Sequence, residues 1–382
     1  METQSSIVSL SALKGIDAAR LERELSAMWA ELSAGGAGES AGVARACALN
    51  LIVYAEGPEG RAEVDALLGE VIERHPSRAL VLVADRGAPE PRLEAYVSTR
   101  CQVGRRGSKQ ICGEQITIEA AGPAVQTAWT AVAPLLVPDA PVFLWWKDIP
   151  HYDDKLFGRL AALADRVVID SASFDNPQYD LIRLSEIIAG GRLRLSDLNW
   201  GRLTSWRSVV AGFWDVADYR ASLAEIERVS FVYDPPDRGP GRIAPKVLLA
   251  AGWLATCLGW EAEPGGEIIS GGRASFRLSD GGRPVAVELE AGGGAAGRDG
   301  TITSLTLRSA AGDEFGVALR AGEAKLETWA RVGGRQASGR VLGFEARSEG
   351  RRLSAELDIL SRDALYERAA RFAARLIETI KN

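Results

Sequence analysis

A continuous apolar run between residues 78 and 85, RALVLVAD, constrains the fold of this chain more than any other segment. Strands that are apolar at nearly every position are typical of sheets covered on both faces, and parallel sheets are the usual example. The run follows an amphipathic helical pattern over Glu59–Arg74, which in turn follows another apolar run within Ala44–Tyr54. The order strand, helix, strand predicts a βαβ unit with a parallel pair of strands.

Apolar periodicity extends this arrangement over the first part of the chain. We expect an α/β domain over residues 1–172, with a mixed, largely parallel sheet and helices. The other predicted helices are Leu10–Leu32, Trp129–Leu136 and Asp153–Ala164, and the further predicted strands are Leu93–Cys101, Ile111–Glu119, Val142–Trp146 and Arg166–Asp170.

The pattern changes in the second half, where residues 173–382 predict an α+β domain with an antiparallel sheet. Several segments alternate apolar and polar residues with period two, which indicates strands with one solvated face. These segments are Ala274–Leu278, Val285–Leu289, Phe315–Leu319 and Arg351–Ile359. The predicted helices are Pro177–Ala189, Asp197–Phe213, Lys246–Leu258 and an amphipathic helix from Asp363.

The composition argues against several classes of partner. The net charge is −6, so the chain lacks the basic field that attracts nucleic acid. No run reaches the ~18 apolar residues that a membrane span needs. The start, METQSSIVSL, lacks the basic region and apolar stretch of a secretory signal. We therefore expect a cytoplasmic protein that binds neither nucleic acid nor membrane.

The sequence offers few groups for catalysis or metal binding. Only two histidines occur, His75 and His151, and each adjoins a proline, which places both in turns or at element ends. Neither Cys-x-x-Cys nor His-Glu-x-x-His is present. Helix capping and solvation account for the carboxylates that might act in pairs, Asp153, Asp154, Asp165 and Asp170. We expect no catalytic residue, no metal and no cofactor.

Two glycine clusters, around Gly104 and Gly239, invite a nucleotide-binding interpretation, but neither has the spacing of a dinucleotide or phosphate-binding loop. The first cluster carries three positive charges within five residues, Arg105, Arg106 and Lys109, although the chain as a whole is acidic. These charges predict a contact with an acidic partner surface. The alternative is a solvated hairpin tip.

Two tryptophan-rich segments predict a surface that binds a protein partner. Val137–Asp148 is a proline-punctuated entry into an apolar strand, and Ser196–Trp206 opens a helix with Ser196 as the expected N-cap. Both place rigid aromatics beside amides and charges, as interfaces do. The predicted partner-binding residues are Trp145, Trp146, Lys147, Asp197, Asn199, Trp200, Arg202 and Trp206. The alternative for each tryptophan is packing in the core.

Two of the four cysteines, Cys101 and Cys112, flank the basic loop symmetrically. In a hairpin centred on that loop they would face each other across the strands, within reach of a disulfide bond. In a reducing cytoplasm we expect both to be thiols.

Several long strings between His75 and Trp260 resemble the OpcA family. They are HPSRALVLVAD, CGEQITIEAAG, WTAVAPLLVPDAPVFLWW, LADRVVIDS, SDLNWGRLTSW and LLAAGWLATCLGW, and they follow one another in this order. The resemblance implies a non-catalytic assembly or activator protein of glucose-6-phosphate dehydrogenase, acting in the oxidative pentose phosphate pathway. Such a protein would activate by binding one state of the enzyme more tightly than another.

The alternative is a sugar-phosphate-binding or nucleotide-binding protein, or an uncharacterised enzyme. It would use the loop Arg105–Lys109 or the pair Ser77 and Arg78 to hold an anion.

Overall fold

The computed structural model describes residues 13–14, 16–35, 44–45, 47–102, 111–151, 153–236, 242–269, 271–292, 300–320, 323–337, 339–344 and 347–380. The chain forms two compact units, each assembled from separate stretches of sequence. The first unit comprises Met1–Ile169, Leu193–Ser196 and Ser348–Arg362, and the second comprises Asp170–Arg192, Asp197–Arg347 and Asp363–Asn382. The boundary expected at residues 172–173 lies near the first change of unit, and the later returns to the first unit carry no signal in the sequence.

The first unit contains a nine-stranded sheet in the described residues. Its strands are β1 (Leu13–Lys14), β2 (Ala44–Arg45), β3 (Leu49–Glu56), β4 (Ser77–Asp85), β5 (Arg92–Gln102), β6 (Ile111–Ala121), β7 (Val142–Trp146), β8 (Arg166–Ile169) and β9 (Leu195–Asp197). They lie in the order β1-β5-β6-β4-β3-β7-β8-β9, and β2 pairs with β6. Neighbours from β6 to β8 are parallel, whereas β5 is antiparallel to β6. The predicted mixed, largely parallel sheet is confirmed.

Helices α1 (Ala18–Gly35), α2 (Gly57–Arg74), α3 (Trp129–Val132) and α4 (Lys155–Ala161) accompany this sheet. Strands β3 and β4 are buried at every position except the last, as the apolar runs predict. Helix α2 connects them and buries Val64, Leu68, Val71 and Ile72 on one side. Burying both sheet faces is what makes the two strands apolar throughout.

The second unit begins with α5 (Pro177–Ala189), α6 (Leu198–Gly201), α7 (Thr204–Ala211), α8 (Arg220–Leu223) and α9 (Pro245–Leu258). Its strands are β10 (Ile226–Tyr233), β11 (Glu261–Ile269), β12 (Arg273–Asp280), β13 (Arg283–Ala291), β14 (Ile302–Ser309), β15 (Glu314–Leu319), β16 (Lys325–Val332), β17 (Arg335–Ala337) and β18 (Val341–Gly343). They lie in the order β11-β12-β13-β10-β14-β15-β16-β17, and β18 also pairs with β16. All described pairs are antiparallel except β10 with β13, so the predicted α+β domain with an antiparallel sheet is confirmed.

Two helices complete the described chain, α10 (Glu349–Leu357) in the first unit and α11 (Ala364–Glu378) in the second. Asp363 caps α11 by accepting a hydrogen bond from the amide of Tyr366 at 2.9 Å. Helices α9 and α11 pack closely at Gly252, where a Cβ atom would lie 2.3 Å from the carbonyl oxygen of Ala369. Only glycine permits this approach.

The prediction of a strand at Arg351–Ile359 is wrong, because the segment forms α10. Ser348 caps the helix, and its hydroxyl accepts a hydrogen bond from the amide of Arg351 at 3.3 Å. Leu353 and Leu357 are buried one helical turn apart. Apolar residues at every second position include pairs four residues apart, so a short alternating segment also satisfies the helical period.

The single helix predicted over Asp197–Phe213 is divided in the structure. Residues 195–197 form β9, α6 ends at Gly201, and α7 begins at Thr204. Ser196 therefore lies in a strand rather than at the N-cap, and Asp197 caps α6 by accepting from the amide of Asn199 at 2.9 Å. Among the described helices, none is both long and apolar enough to cross a membrane.

Candidate functional site

The carboxyl ends of the parallel strands in the first unit form a topological switch point. From β3 the chain moves to β4 and β6 on one side, and later to β7 and β8 on the other. Open α/β sheets bind ligands in the crevice that such a reversal creates. Glu56 and Asp85 end their strands here, and Lys147 follows directly after β7.

Aromatic side chains lie near the ends of β3 and β7. The ring of Tyr54 stacks on that of Trp146, with centroids 3.8 Å apart and planes 9° apart. The ring of Phe157 meets the ring of Trp146 edge-on, with their centroids 5.1 Å apart. Both Tyr54 and Trp146 are almost completely buried. The predicted partner-binding residue Trp146 therefore packs inside the protein.

Arg86 lies over the ring of Tyr54 in this stack, with its guanidinium carbon 5.6 Å from the ring centroid. Its Nε donates to the hydroxyl of Tyr54 at 2.9 Å, and its Nη2 lies 2.6 Å from Oδ2 of Asp154. Asp154 also caps α4, where its Oδ1 accepts from the amide of Leu156 at 2.8 Å. Burial raises the pKa of Tyr54 to about 12, so the hydroxyl stays protonated at neutral pH and acts as a hydrogen-bonding group.

The turn from β3 into α2 resembles a dinucleotide-binding loop in two of its three glycines. Gly57 has a φ of +66°, and a Cβ on Gly60 would lie 3.2 Å from the Cβ of Ala55. These match the second and third glycines of G-x-G-x-x-G, with Ala55 in the place of the first. The sequence signal is Gly-x-x-Gly directly after the buried apolar strand β3, a position that neither glycine cluster considered above occupies.

The same turn departs from that fingerprint in its charge. Glu56 lies immediately before the helix, and Pro58 removes one of the amides that would bind phosphate. Burial, and then the carboxylate of Asp148, raise the pKa of Glu56. Asp85 raises it further. A pyrophosphate placed here would meet carboxylates, so the local electrostatics disfavour a dinucleotide.

The proline-rich entry to β7 is held by one buried side chain. Asn50 donates to the carbonyls of Val137 at 2.9 Å and Ala140 at 3.2 Å, and its Oδ1 accepts from the amide of Val137 at 2.8 Å. Asp139 between them has a φ of +64°. This clamp fixes the start of the strand that ends in the tryptophan pair.

Trp145 points to the opposite face from Trp146 and is 1% exposed. The Nζ of Lys147 lies 4.8 Å from the ring centroid of Trp145 and 2.9 Å from Oε2 of Glu63. Lys147 is therefore held by a ring and a carboxylate while part of its side chain remains accessible.

The Ser196–Trp206 segment builds a buried polar network in the second unit. Arg202 forms a bidentate ion pair with Asp170, and both distances are 2.6 Å. Asp197 is fully buried and accepts hydrogen bonds from the amides of Ser171 at 3.0 Å and Asn199 at 2.9 Å. Burial, and then the charge of Asp170, raise the pKa of Asp197 to about 6.

Trp200 connects this network to the last helix. Its Nε1 donates to Oδ2 of Asp363 at 2.9 Å, and its ring centroid lies 5.7 Å from that of Tyr366. The guanidinium of Arg207 lies 3.7 Å from the same ring. Both Trp200 and Trp206 are 3% exposed.

The predicted partner-binding residues thus lie in two separate places, one in each unit. The four tryptophans, Trp145, Trp146, Trp200 and Trp206, are all buried, so none of them forms an exposed aromatic patch. Lys147 and Arg202 are the members that remain partly accessible. Arg105, Arg106 and Lys109 lie outside the described residues. A direct role of these residues in binding a partner stays a prediction.

Arg78, named with Ser77 as an alternative anion site, is buried and already paired. Its Nε lies 2.7 Å from Oε2 of Glu114, and its Nη1 contacts Glu22. Within the described residues no group of three His, Cys, Asp or Glu side chains could hold a metal ion.

The two hairpin cysteines lie opposite each other in the register of β5 and β6, where the Cα of Cys101 pairs with that of Cys112. Cys112 is disulfide-bonded in the structure, where the sequence led us to expect a thiol.

Two family models match consecutive parts of the chain. The model described as the glucose-6-phosphate dehydrogenase subunit N-terminal domain matches residues 69–186. The model described as the C-terminal domain of the same subunit matches residues 193–370.

Three cyanobacterial relatives carry, as provisional assignments, the name OxPP cycle protein OpcA. The protein of Nostoc punctiforme is 37% identical over 193 residues, which are 50% of this chain and 40% of that protein. The Synechocystis protein is 30% identical over 169 residues, 44% of this chain and 34% of that protein. The Synechococcus elongatus protein is 29% identical over 231 residues, 59% of this chain and 49% of that protein. The chain therefore spans less than half the length of each of these relatives.

Solved structures give weaker likenesses. The 3-ketoreductase KijD10 of Actinomadura kijaniata is 12% identical with a TM-score of 0.48, over 87% of this chain and 96% of that chain. The myo-inositol dehydrogenase of Lactobacillus casei is 9% identical with a TM-score of 0.43, over 87% and 93%. Scores this low carry no argument about this chain. The family models and the three relatives agree with the resemblance in the sequence, and the chain belongs to the OpcA family.

Proposed function

We propose that this chain is a non-catalytic assembly factor and allosteric activator that binds glucose-6-phosphate dehydrogenase and supports the oxidative pentose phosphate pathway in the cytoplasm. The observation that carries the proposal is that both halves of the chain match models described as domains of a subunit of that enzyme. Activation would follow from linkage, because a protein that binds the active or assembled enzyme more tightly shifts its population.

The geometry of the first unit supports a role without chemistry of its own. At the switch point the rings of Tyr54 and Trp146 stack on each other near the ends of β3 and β7, and Arg86 is engaged by Tyr54 and Asp154. Glu56 places a carboxylate where a bound dinucleotide would put its phosphates. A switch point whose side chains already engage one another suits a scaffold better than a cofactor-dependent enzyme.

The test is to mix the purified chain with its cognate dehydrogenase and to measure enzyme activity across a size-exclusion peak. We expect co-elution and a higher specific activity in the shared peak than for the dehydrogenase alone. The chain alone should turn over neither glucose 6-phosphate nor NADP⁺. Separate elution at micromolar concentrations with unchanged activity would contradict the proposal.

A second candidate, a nucleotide-binding protein, is favoured by the strand order around β3 and by Gly57 and Gly60. Calorimetric titration of the chain with NADP⁺ distinguishes the two. We expect no saturable heat for the wild-type chain, and the Glu56→Ala variant tests whether that carboxylate is the reason. Saturable binding to the wild-type chain would favour the second candidate.

The partner-binding residues predicted from the sequence enter this proposal in two ways. Lys147 and Arg202 are partly accessible and could contact the dehydrogenase directly. The buried tryptophans, Trp145, Trp146, Trp200 and Trp206, would act by holding the strand ends and helices that carry those contacts.

A further inference from the structure

In the described part of the chain, the sheet of the second unit ends in an edge formed by β17 and β18. Strand β16 pairs with β15 on one side and with both β17 and β18 on the other. No further strand lies outside β17 and β18 in the described part of the chain. In β18, Val341 is 48% exposed and Leu342 is 39% exposed. An exposed apolar edge strand is a template for pairing with another chain.

The register of β18 determines which of its backbone groups are available to pair with a further strand. The amide of Thr328 donates to the carbonyl of Arg340 at 2.9 Å, and the amide of Phe344 donates to the carbonyl of Ala324 at 2.7 Å. In an antiparallel pair, hydrogen-bonded residues alternate with residues whose backbone groups point the other way. The N–H and C=O groups of Val341 and Gly343 therefore point away from β16, toward the open edge.

A groove runs along the same edge. It encloses about 620 Å³ between α7, the 3₁₀ turns that follow it, and strands β16 to β18. Leu342 lies opposite the buried Leu326 in the register and forms part of the wall. Further apolar lining comes from Val209, Phe213, Val216 and Tyr219. A strand added beside β18 would direct alternate side chains toward this groove.

The charge along the edge is positive. Arg335 and Arg340 are exposed, and neither has a carboxylate partner in the described residues. By contrast, the nearby Arg320 and Arg331 face Glu327 at 3.0 Å and Glu314 at 4.0 Å. Two cations that have no carboxylate partner among the described residues lie beside an apolar strand, in a chain of net charge −6, and they fit a partner that brings carboxylates.

We propose that the β17–β18 edge binds an extended acidic segment of the partner protein as an additional strand. Backbone hydrogen bonds to Val341 and Gly343 would supply affinity, apolar side chains would enter the groove, and carboxylates would meet Arg335 and Arg340. A second copy of this chain is a poor occupant, because it would bring the same two cations to the interface. The inference rests on the proposed function in taking glucose-6-phosphate dehydrogenase as that partner.

Hydrogen–deuterium exchange on the full chain, with and without the dehydrogenase, tests the backbone contact. The amides of Val341 and Gly343 should exchange rapidly in the chain alone and become protected in the complex. The variants Gly343→Pro and Gly343→Ala form a matched pair. A Cβ at this position meets nothing within 4 Å, so both should fold, but only proline removes the outward N–H.

Gly343→Pro should weaken binding of the dehydrogenase by about tenfold or more relative to Gly343→Ala. The double variant Arg335→Glu, Arg340→Glu should slow association and reduce its dependence on salt. The inference would be overturned if the wild type binds but the two amides stay unprotected and the proline and alanine variants bind with equal affinity. That result would leave the proposed function standing. Absence of wild-type binding would overturn the proposed function itself. A dimer of the chain alone that Gly343→Pro abolishes would assign the edge to a second copy, which also overturns the inference.

Discussion

Arg202 and Asp170 form a bidentate ion pair in which both N–O distances are 2.6 Å and each side chain is 18% exposed. Asp170 also lies close enough to the fully buried Asp197 for its charge to raise the pKa of that residue. The guanidinium therefore balances one of two neighbouring carboxylates. It joins the start of the 3₁₀ turn at Ser171 to the end of α6.

We expect Arg202→Met to lower the free energy of unfolding by about 2 kcal/mol, because it leaves Asp170 partly buried without its partner. Urea denaturation followed by tryptophan fluorescence measures this. Arg192 is exposed in the same unit, and Arg192→Met should change the stability by no more than about 0.5 kcal/mol. Equal effects of the two substitutions would show that the ion pair contributes nothing specific.

Asp197 should make the stability depend on pH in the acid range. Its pKa of about 6 in the folded protein lies above the ~3.9 of an unperturbed aspartate. Between about pH 4 and pH 6 the folded state keeps a proton that the unfolded state releases, so the free energy of unfolding falls as the pH rises. The size of this fall is on the order of 3 kcal/mol.

The variant Asp197→Asn removes the titrating group and keeps an Oδ1 that can accept from the amides of Ser171 and Asn199. Urea titration at several pH values measures the unfolding free energy of both proteins. From about pH 4 to pH 6 the unfolding free energy of the wild type should fall relative to that of the variant. A difference that stays constant over this range would mean that Asp197 ionises normally.

Trp200→Ala should cost about 3–5 kcal/mol of stability, because the ring is buried and its Nε1 bonds the residue that caps α11. At temperatures where the variant is folded, its affinity for the dehydrogenase should change little, since the ring is covered. Thermal melting and affinity measured on one sample separate the two effects. A loss of affinity of about 2 kcal/mol with little change in melting temperature would instead identify Trp200 as a docking residue.

If the charges of Arg105, Arg106 and Lys109 are solvated, as the sequence predicts, reversing them to glutamate should leave the melting temperature nearly unchanged, because surface charges contribute little to stability. If the loop contacts an acidic surface, association with the dehydrogenase should slow and lose most of its salt dependence. Stopped-flow association at low and high salt measures both. An unchanged rate at low salt would remove the loop from the interface.

Elements with a strong period, or with a clear start and end, could be predicted from the sequence. The run RALVLVAD predicted β4 because burial on both faces leaves no alternation, and Pro177 with Gly190 bounded α5. Helix α10 could not be told from a strand, because its leucines satisfy both periods. Strand β11 gave no signal, since Pro264, Gly265 and Gly266 interrupt it.

The candidate site was harder to predict for a different reason. The sequence indicates which side chains are aromatic or charged, but burial depends on what the fold brings against them. Trp146 and Trp200 have polar neighbours in sequence and are nevertheless covered, by Tyr54 and by Asp363 with Arg207. The groove beside β18 combines residues more than a hundred positions apart, so no local pattern could reveal it.

The order in which the chain is synthesised has a consequence for the first unit. Its sheet needs β9, and its helix α2 is contacted by α10, where His75 Nε2 lies 2.9 Å from the carbonyl of Ser354. Residues 348–362 leave the ribosome after most of the second unit has already been made, whereas residues 193–196 precede most of it. The first unit therefore cannot finish folding before residues 348–362 have been synthesised. The surface of α2 that contacts α10 stays uncovered until that helix has left the ribosome, which makes the arrival of α10, rather than completion of the early sheet, the step that completes the first unit.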